Sequence, residues 1–394
     1  MTFEQECFLK IISDYIHQRE TESVSNLDWE AEWEYSHSNQ LDGIVFTQCK
    51  KFIPKEYQER FSDALSLTVY YNQNRFIITK SLMKQFESIG LNAFLVKGPV
   101  IAEFYPNPQL RTMGDIDILV SERDKAHEVM LKNGFKCKGL NLDYEYGYVK
   151  NNIEYELHNR LLYDNPVNNA KIQGYFDDYK SHVIEDKLDD SFHFVFVLCH
   201  LRTHFMNQGV GFRQFLDIAM LANNNKNLDW DRIKKDLQSI DLFEFAQSVF
   251  AYLNKWFEIE SPFELPEISE SDYEKSTVYI FNNGLFGFHN EDNDRFMAAN
   301  RARNAKSAKL SILFNPVKVI FPGYKQLSAS RKYEFIRNKP YLLPYAWIKR
   351  FFIMLKDHNL KQGMKMLNDS VVTEKYVKNR EEFFKLWGLD NSVK

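Results

Sequence analysis

The sequence predicts an α+β fold, with a small mixed sheet set between helical segments. Three observations predict it. Apolar residues recur at helical spacing on both sides of a central stretch, and inside that stretch the pattern changes to short β-forming runs bounded by turn residues. The 394 residues accommodate two or three domains, and 44% apolar with 15% aromatic residues supplies a core that a disordered chain lacks. The expected division is a helical segment over 1–90, a mixed-sheet domain over 91–188 and a helical domain over 189–394.

Phe3, Phe8, Ile11, Ile12 and Tyr15 repeat at helical spacing and predict the first helix. A second, long helix runs through "PKEYQERFSDALSLTVYYNQNRFIITKSLMKQFESIG", opened by Pro54 and closed by Gly90. From Leu91 the run "NAFLVKG" reads as a short strand ending at Gly98, and "PVIAEFY" as a helix with Pro99 in its first turn. "NPQLRTMG" is a loop and "DIDILV" a strand. "SERDKAHEVMLKNG" is a helix with Ser121 and Asp124 as a capping pair and Gly134 as its stop. "YEYGYVK" and "IEYELHNRL" are strands joined by an Asn151–Asn152 hairpin turn. From about Asp190 the pattern is helical again, in "SFHFVFVLCHLRTHFMNQG" and "GFRQFLDIAMLANN" and onward, broken at Pro262, Pro316, Pro322, Pro340 and Pro344. There is no internal repeat.

Four scattered cysteines without a C-x-x-C pair argue against a disulfide framework or a zinc ribbon. The N-terminus lacks the apolar stretch of a signal peptide, and the longest strongly apolar run, Phe192 to Leu198, is far short of the ~20 residues that span a bilayer. A cytoplasmic location is the expectation. Net charge is −4, but residues 301–394 carry 20 Lys and Arg against 7 Asp and Glu, leaving 30 against 47 for the remainder. A peripheral anionic partner for the basic C-terminal region accounts for this split. Packing of that region against the acidic body accounts for it more simply. The segment "YLLPYAWIKRFFIMLKDHNLKQGMKM" is at once basic, aromatic and apolar. A membrane surface, an acidic partner or burial in the helical domain would each suit it, and burial is the expectation.

Side chains alternate along a strand, so Asp115 and Asp117 share one face while Ile116 and Ile118 point into the core. Two carboxylates side by side repel, and a divalent cation between them removes the conflict. Hard oxygen ligands suit Mg2+ or Mn2+. Glu154, Glu156 and His158 also share a face of the later hairpin strand, and one of these glutamates would complete a three-carboxylate site. That donor set suits two-metal displacement at phosphorus. Upstream, Lys97 and Gly98 end a strand before a helix, where a glycine admits a phosphate and a helix start favours anions.

The order strand, glycine, helix, D-x-D strand, carboxylate strand resembles the DNA polymerase β-like nucleotidyltransferase superfamily. More closely, "LVKGPVIAEFYPNPQLRTMGDIDILV", "IEYELHNRL", "HLRTHFMNQGVGFRQFLDIAML" and "YLLPYAWIKRFFIML" resemble a bacterial family of uncharacterised nucleotidyltransferases. The resemblance implies that the sheet is a nucleotidyltransferase palm over 91–188. It implies transfer of a nucleoside monophosphate from an NTP, ATP among the candidates, with release of pyrophosphate. Asp115, Asp117 and Glu156 would be catalytic and hold Mg2+ or Mn2+, with Glu154 the second choice for the third acid. Lys97, Gly98, Arg111, Gly114 and Arg213 would bind the nucleotide. The superfamily usually has a Gly-Ser or Gly-Gly pair where this chain has Gly98-Pro99, and proline offers no N–H to a phosphate.

Arg111 reads equally as a phosphate clamp and as an offset to carboxylate repulsion. Arg213 reads equally as a nucleotide contact and as an i, i+4 partner of Asp217. His200 and His204 share a helix face, but Leu201 stands where H-E-x-x-H has its glutamate, so a zinc protease is not indicated. With His158 and Glu154 they are candidates for the cleft. Two rivals remain: a D-x-D metal-dependent glycosyltransferase, and a non-catalytic module binding a nucleotide or partner. The acceptor stays open between a small molecule, a sugar phosphate, a protein and an RNA end.

Overall fold

A computed structural model describes residues 1–22, 26–140, 145–162, 168–184, 187–207, 209–284, 317, 320–328, 331–356 and 374–389. Helix α1 (Phe3–Ile16) opens with a reciprocal cap. The Thr2 hydroxyl accepts from the Gln5 N–H, and the Gln5 side chain accepts from the Thr2 N–H at 3.1 Å. Helices α2 (Trp29–Ser38) and α3 (Asp42–Cys49) follow. The long α4 (Lys55–Ser88) starts after Pro54, and the chain leaves it through Gly90 at φ +67°, a conformation that costs glycine little.

Five strands make the main sheet: β1 (Ala93–Leu95), β2 (Asp115–Val120), β3 (Lys136–Leu140), β4 (Glu145–Lys150) and β5 (Ile153–His158). Their spatial order is β1-β2-β5-β4-β3. Only β2 and β5 run parallel, so the sheet is mixed, as expected. Asn151 and Asn152 take φ of 52° and 61°, the two left-handed residues of a tight hairpin. That turn places Glu154 opposite Val149, Glu156 opposite Gly147 and His158 opposite Glu145. Helices α5 (Gly98–Ala102) and α6 (Arg123–Lys132) lie between strands.

The two faces of the sheet differ in chemistry. Ile116, Ile118, Val120, Tyr148, Tyr155 and Leu157 form one core with Leu82 and Phe86 of α4 and Ala126 and Met130 of α6. Asp115 and Asp117, from alternate positions of β2, stand on the other side, in register with Glu154 and Glu156.

Past α7 (Ala170–Asp177) and a two-stranded ribbon of β6 (Val183–Ile184) and β7 (Lys187–Leu188), the regular structure of the described residues is helical. It contains α8 (Asp190–Asn207), α9 (Phe212–Asn224), α10 (Trp230–Ser239), α11 (Phe243–Phe257), α12 (Glu270–Asn283), α13 (Tyr324–Ser328), α14 (Leu343–Lys356) and α15 (Glu374–Leu386). The larger core joins both ends of the chain. The Phe8 ring meets Phe212 at 5.6 Å and Phe281 at 5.5 Å, and Trp387 stacks on Tyr252 at 4.1 Å.

Several expectations need correction. The Ser121–Asp124 capping pair does not form. Glu122 is the cap residue, without a side-chain bond, and Asp124 instead accepts from the Tyr146 hydroxyl at 3.1 Å. Helix α5 stops at Ala102 and does not run to Tyr105. Pro344 does not break a helix; it is the second residue of α14, where its missing N–H has no intrahelical partner to lose. Strand β3 and the β6–β7 ribbon had no reading of their own in the sequence. The basic aromatic segment is buried along one face only: Tyr341, Tyr345, Ile348 and Phe352 are all more than half exposed. Pro316 and the end of that segment lie outside the described residues.

Candidate active site

Asp117, Glu156 and His158 offer ligand atoms within 4.8 Å of one another. The parallel register puts Asp117 beside Glu156 on neighbouring strands, and His158 follows two residues on, on the same face. One Asp117 oxygen accepts from Lys97 Nζ at 2.7 Å and lies 2.8 Å from His158 Nε2. Glu156 stands 3.4 Å from the same imidazole nitrogen and is the more open of the two acids, 26% exposed against 3% for the Asp117 side chain.

Burial alone would raise the Asp117 carboxyl, but the Lys97 ammonium and His158 hold it well below the usual carboxylate range. Burial alone would lower His158, yet its bonds to Asp117 and Glu156 push it up to about 9. Asp115 is half-buried, and the charge of Asp117, with burial, pushes it up to about 6. Glu145, opposite His158, is raised by burial and by Glu156 to about 7. The site therefore holds four carboxyl groups on one sheet face, with Lys97 and His158 as local counter-charge.

The family model described as an uncharacterised nucleotidyltransferase matches residues 25–258. The chain belongs to that family. No curated protein and no solved structure matches it. Membership supports nucleotidyl transfer in general, and the matched span contains the whole acid cluster.

The remaining nucleotidyltransferase candidates fall into two groups. Lys97 is in the site, held by its backbone at φ 54° and ψ −117°, a conformation that L residues rarely adopt. Its N–H donates to His193 Nε2 at 3.0 Å. Burial drives His193 down to about 4, so the ring is neutral at pH 7 and free to accept. Gly98 is tightly surrounded, since a Cβ there would lie 3.0 Å from Arg111 Nη1 and 3.3 Å from Met113 Sδ. With α5 only five residues long, the contribution of Gly98 is space for close packing and not a helix dipole. His200 is half-buried; its poor solvation, then the charge of Lys97, with His204 and His158, hold it well below the usual imidazole value against the opposing pull of Asp117. Its Nε2 sits 3.0 Å from that of His204.

The others lie apart from the cluster or are occupied elsewhere. Glu154 shares the face of Asp115 but is exposed and pairs with Lys138. Gly114 is exposed with open space around it. Arg111 directs Nε and Nη2 to the two oxygens of Asp217, each at 2.8 Å, and Tyr105 donates to the same carboxylate at 2.7 Å. The guanidinium fork is thus used on a buried carboxylate. Arg213 donates to the Thr112 carbonyl at 3.0 Å and to Gln40 at 3.1 Å. Sequence reasoning missed Glu145 and His193. Counting outward from the Asn-Asn turn would have paired Glu145 with His158. His193 carried no signal, because only the fold brings it to Lys97.

The raised groups predict a pH dependence for the metal-free protein. A pKa higher in the folded than in the unfolded state means the folded form binds more protons, so stability falls as pH rises between the two values. Asp115 acts between 3.8 and about 6, Glu145 between 4.5 and about 7, and His158 between 6.5 and about 9. His158 alone accounts for about 3 kcal/mol lost over its window, at about 1.4 kcal/mol per pKa unit. Urea unfolding at pH 6.5 and at pH 9 checks this, and His158→Asn should flatten the difference.

Proposed function

We propose that the protein transfers a nucleoside monophosphate from an NTP to an acceptor hydroxyl or phosphate, releasing pyrophosphate. The observation that carries this reading is the convergence of Asp117, Glu156 and His158 beside the Lys97–Gly98 turn. The carboxylate oxygens of Asp117 and Glu156 fit Mg2+ or Mn2+, Asp115, next on the same face, adds a third carboxylate, and the protonated His158 stands beside them as counter-charge. The divalent ion would neutralise charge developing on phosphate oxygens.

The chain's own groups supply the rest. The acceptor oxygen bonds to the α-phosphorus as the bond from that phosphorus to the α–β bridging oxygen breaks, and pyrophosphate carries away the electron pair. Glu156, the more open acid, takes the acceptor's proton. Lys97 brings its ammonium to the same face, and once a cation neutralises Asp117 that charge is available to phosphate oxygens. His193 holds the Lys97 backbone in place.

Thermal melting with Mg2+ or Mn2+ and each of the four NTPs tests the reading. A ligand that binds only the folded form raises Tm by mass action. One NTP should raise Tm only when the metal is present. Stabilisation by nucleotide sugars and by no NTP would favour the glycosyltransferase. Metal affinity without turnover of any NTP would favour a binding module.

A further inference from the structure

Helix α14 has two apolar faces, and among the described residues only one is packed. Inward, Ala346 is fully buried and Leu342, Leu343 and Trp347 close over Leu327, Tyr333 and Ile336. Trp347 anchors this face by donating to the Pro322 carbonyl at 2.9 Å. Outward, Tyr345, Ile348 and Phe352 recur three and four residues apart on one stripe, at 57%, 56% and 63% exposure. Tyr341, just before the helix, is 73% exposed. Phe351 flanks the stripe, and Phe321, also exposed, meets Trp347 at 5.1 Å. Single exposed apolar residues are ordinary, but a contiguous aromatic stripe marks an interaction surface.

The surrounding charge selects the occupant. Residues 331–356 contain seven Lys and Arg and one acid, Glu334. Lys332 and Lys339 are exposed, and Lys349 lies beside the stripe with its ammonium 4.7 Å above the Phe335 ring. A second copy meeting this face through its own α14 would bring the same cations to the contact and be repelled. An anionic lipid surface takes both features, with aromatic rings at the headgroup level and lysines reaching to phosphate. Among the described residues no helix is long and apolar enough to cross a membrane, so attachment would be peripheral.

We propose that α14 docks flat on an anionic phospholipid surface through Tyr341, Tyr345, Ile348 and Phe352, with Lys339 and Lys349 on lipid phosphates. This stands independently of the nucleotidyl-transfer reading.

The test is flotation of the full chain with vesicles of phosphatidylcholine alone or mixed with phosphatidylglycerol, at low and high salt. The wild type should float with the mixed vesicles, stay behind with phosphatidylcholine alone, and be released by salt. Ile348→Ser with Phe352→Ser should weaken binding at least about tenfold at unchanged Tm. Lys339→Ala with Lys349→Ala should weaken it about twenty-five-fold, roughly fivefold per charge. The lysine pair leaves the apolar stripe whole, so it decides the matter if the serine pair fails to fold. Failure to float with anionic vesicles, or flotation indifferent to both pairs, overturns the proposal. A lipid-free dimer that the serine pair converts to monomer also overturns it, in favour of self-association.

Discussion

Asp117→Asn is expected to lower nucleotidyl transfer on the order of 10³-fold, the upper range for removing one preorganised polar group from a catalytic centre. The substitution keeps the shape of the side chain and removes the charge on which Lys97 and His158 converge. If Asp117 holds the metal as proposed, Mn2+ affinity should fall with activity, because an amide replaces a carboxylate. A structural cost comes with it. Truncating one member of a buried ion pair typically costs about 3–5 kcal/mol, and here His158 can shed its proton to relieve part of that. The stability loss should therefore be smaller at pH 9 than at pH 6.5, because the wild type itself loses the stabilising His158 proton over that window. Label transferred from an α-phosphate-labelled NTP, Mn2+ titration and urea unfolding are the three readouts. Retention of most of the transfer activity would remove Asp117 from the reaction.

Asp217→Ala is expected to destabilise the fold by about 3–5 kcal/mol, the full cost of leaving a buried partner uncompensated. Asp217 accepts both arms of Arg111 and the Tyr105 hydroxyl, and all three residues are almost fully buried. Asp217→Glu should recover little, because the extra methylene has no room in a site where three side chains already meet. Activity should fall too, since Arg111 Nη1 packs against Gly98, and a displaced guanidinium moves the turn that carries Lys97. Denaturant unfolding gives the first effect directly. If the protein loses less than about 1 kcal/mol, within the range of a surface ion pair, the clamp is not the link between sheet and α9 that its geometry indicates.

What could be read from the sequence was whatever local spacing controls. Strand alternation placed Asp115 and Asp117 on one face, and the Asn-Asn turn fixed the hairpin that carries Glu156 and His158. The long α4 between Pro54 and Gly90 was equally local in origin. Arg111 and Arg213 were ambiguous because their partners lie far along the chain. Only the packing of α9 against α5 and the loop after it delivers Asp217 to Arg111 across more than one hundred residues. The Lys97–Asp117 contact was hidden for another reason. It depends on a left-handed backbone at a lysine, which no propensity favours and which His193, from a distant helix, holds in place. The outer stripe of α14 was misjudged because an amphipathic pattern shows that a face is apolar and not whether the protein has anything to cover it.

The position of α1 has a consequence for synthesis. Its apolar side closes against α9, α11 and α12, through Phe8 with Phe212 and Phe281 and through a bond from His17 to the Phe257 carbonyl. At about 5–20 residues per second, translating the roughly 240 residues between α1 and the end of α11 takes on the order of 10–50 s. Throughout that interval Phe8 can meet Tyr35 of α2 but neither Phe212 nor Phe281. A growing chain that must hold such a greasy leading helix in reserve is a natural client for a ribosome-associated chaperone, and its yield should depend more on that protection than on the final stability of the fold.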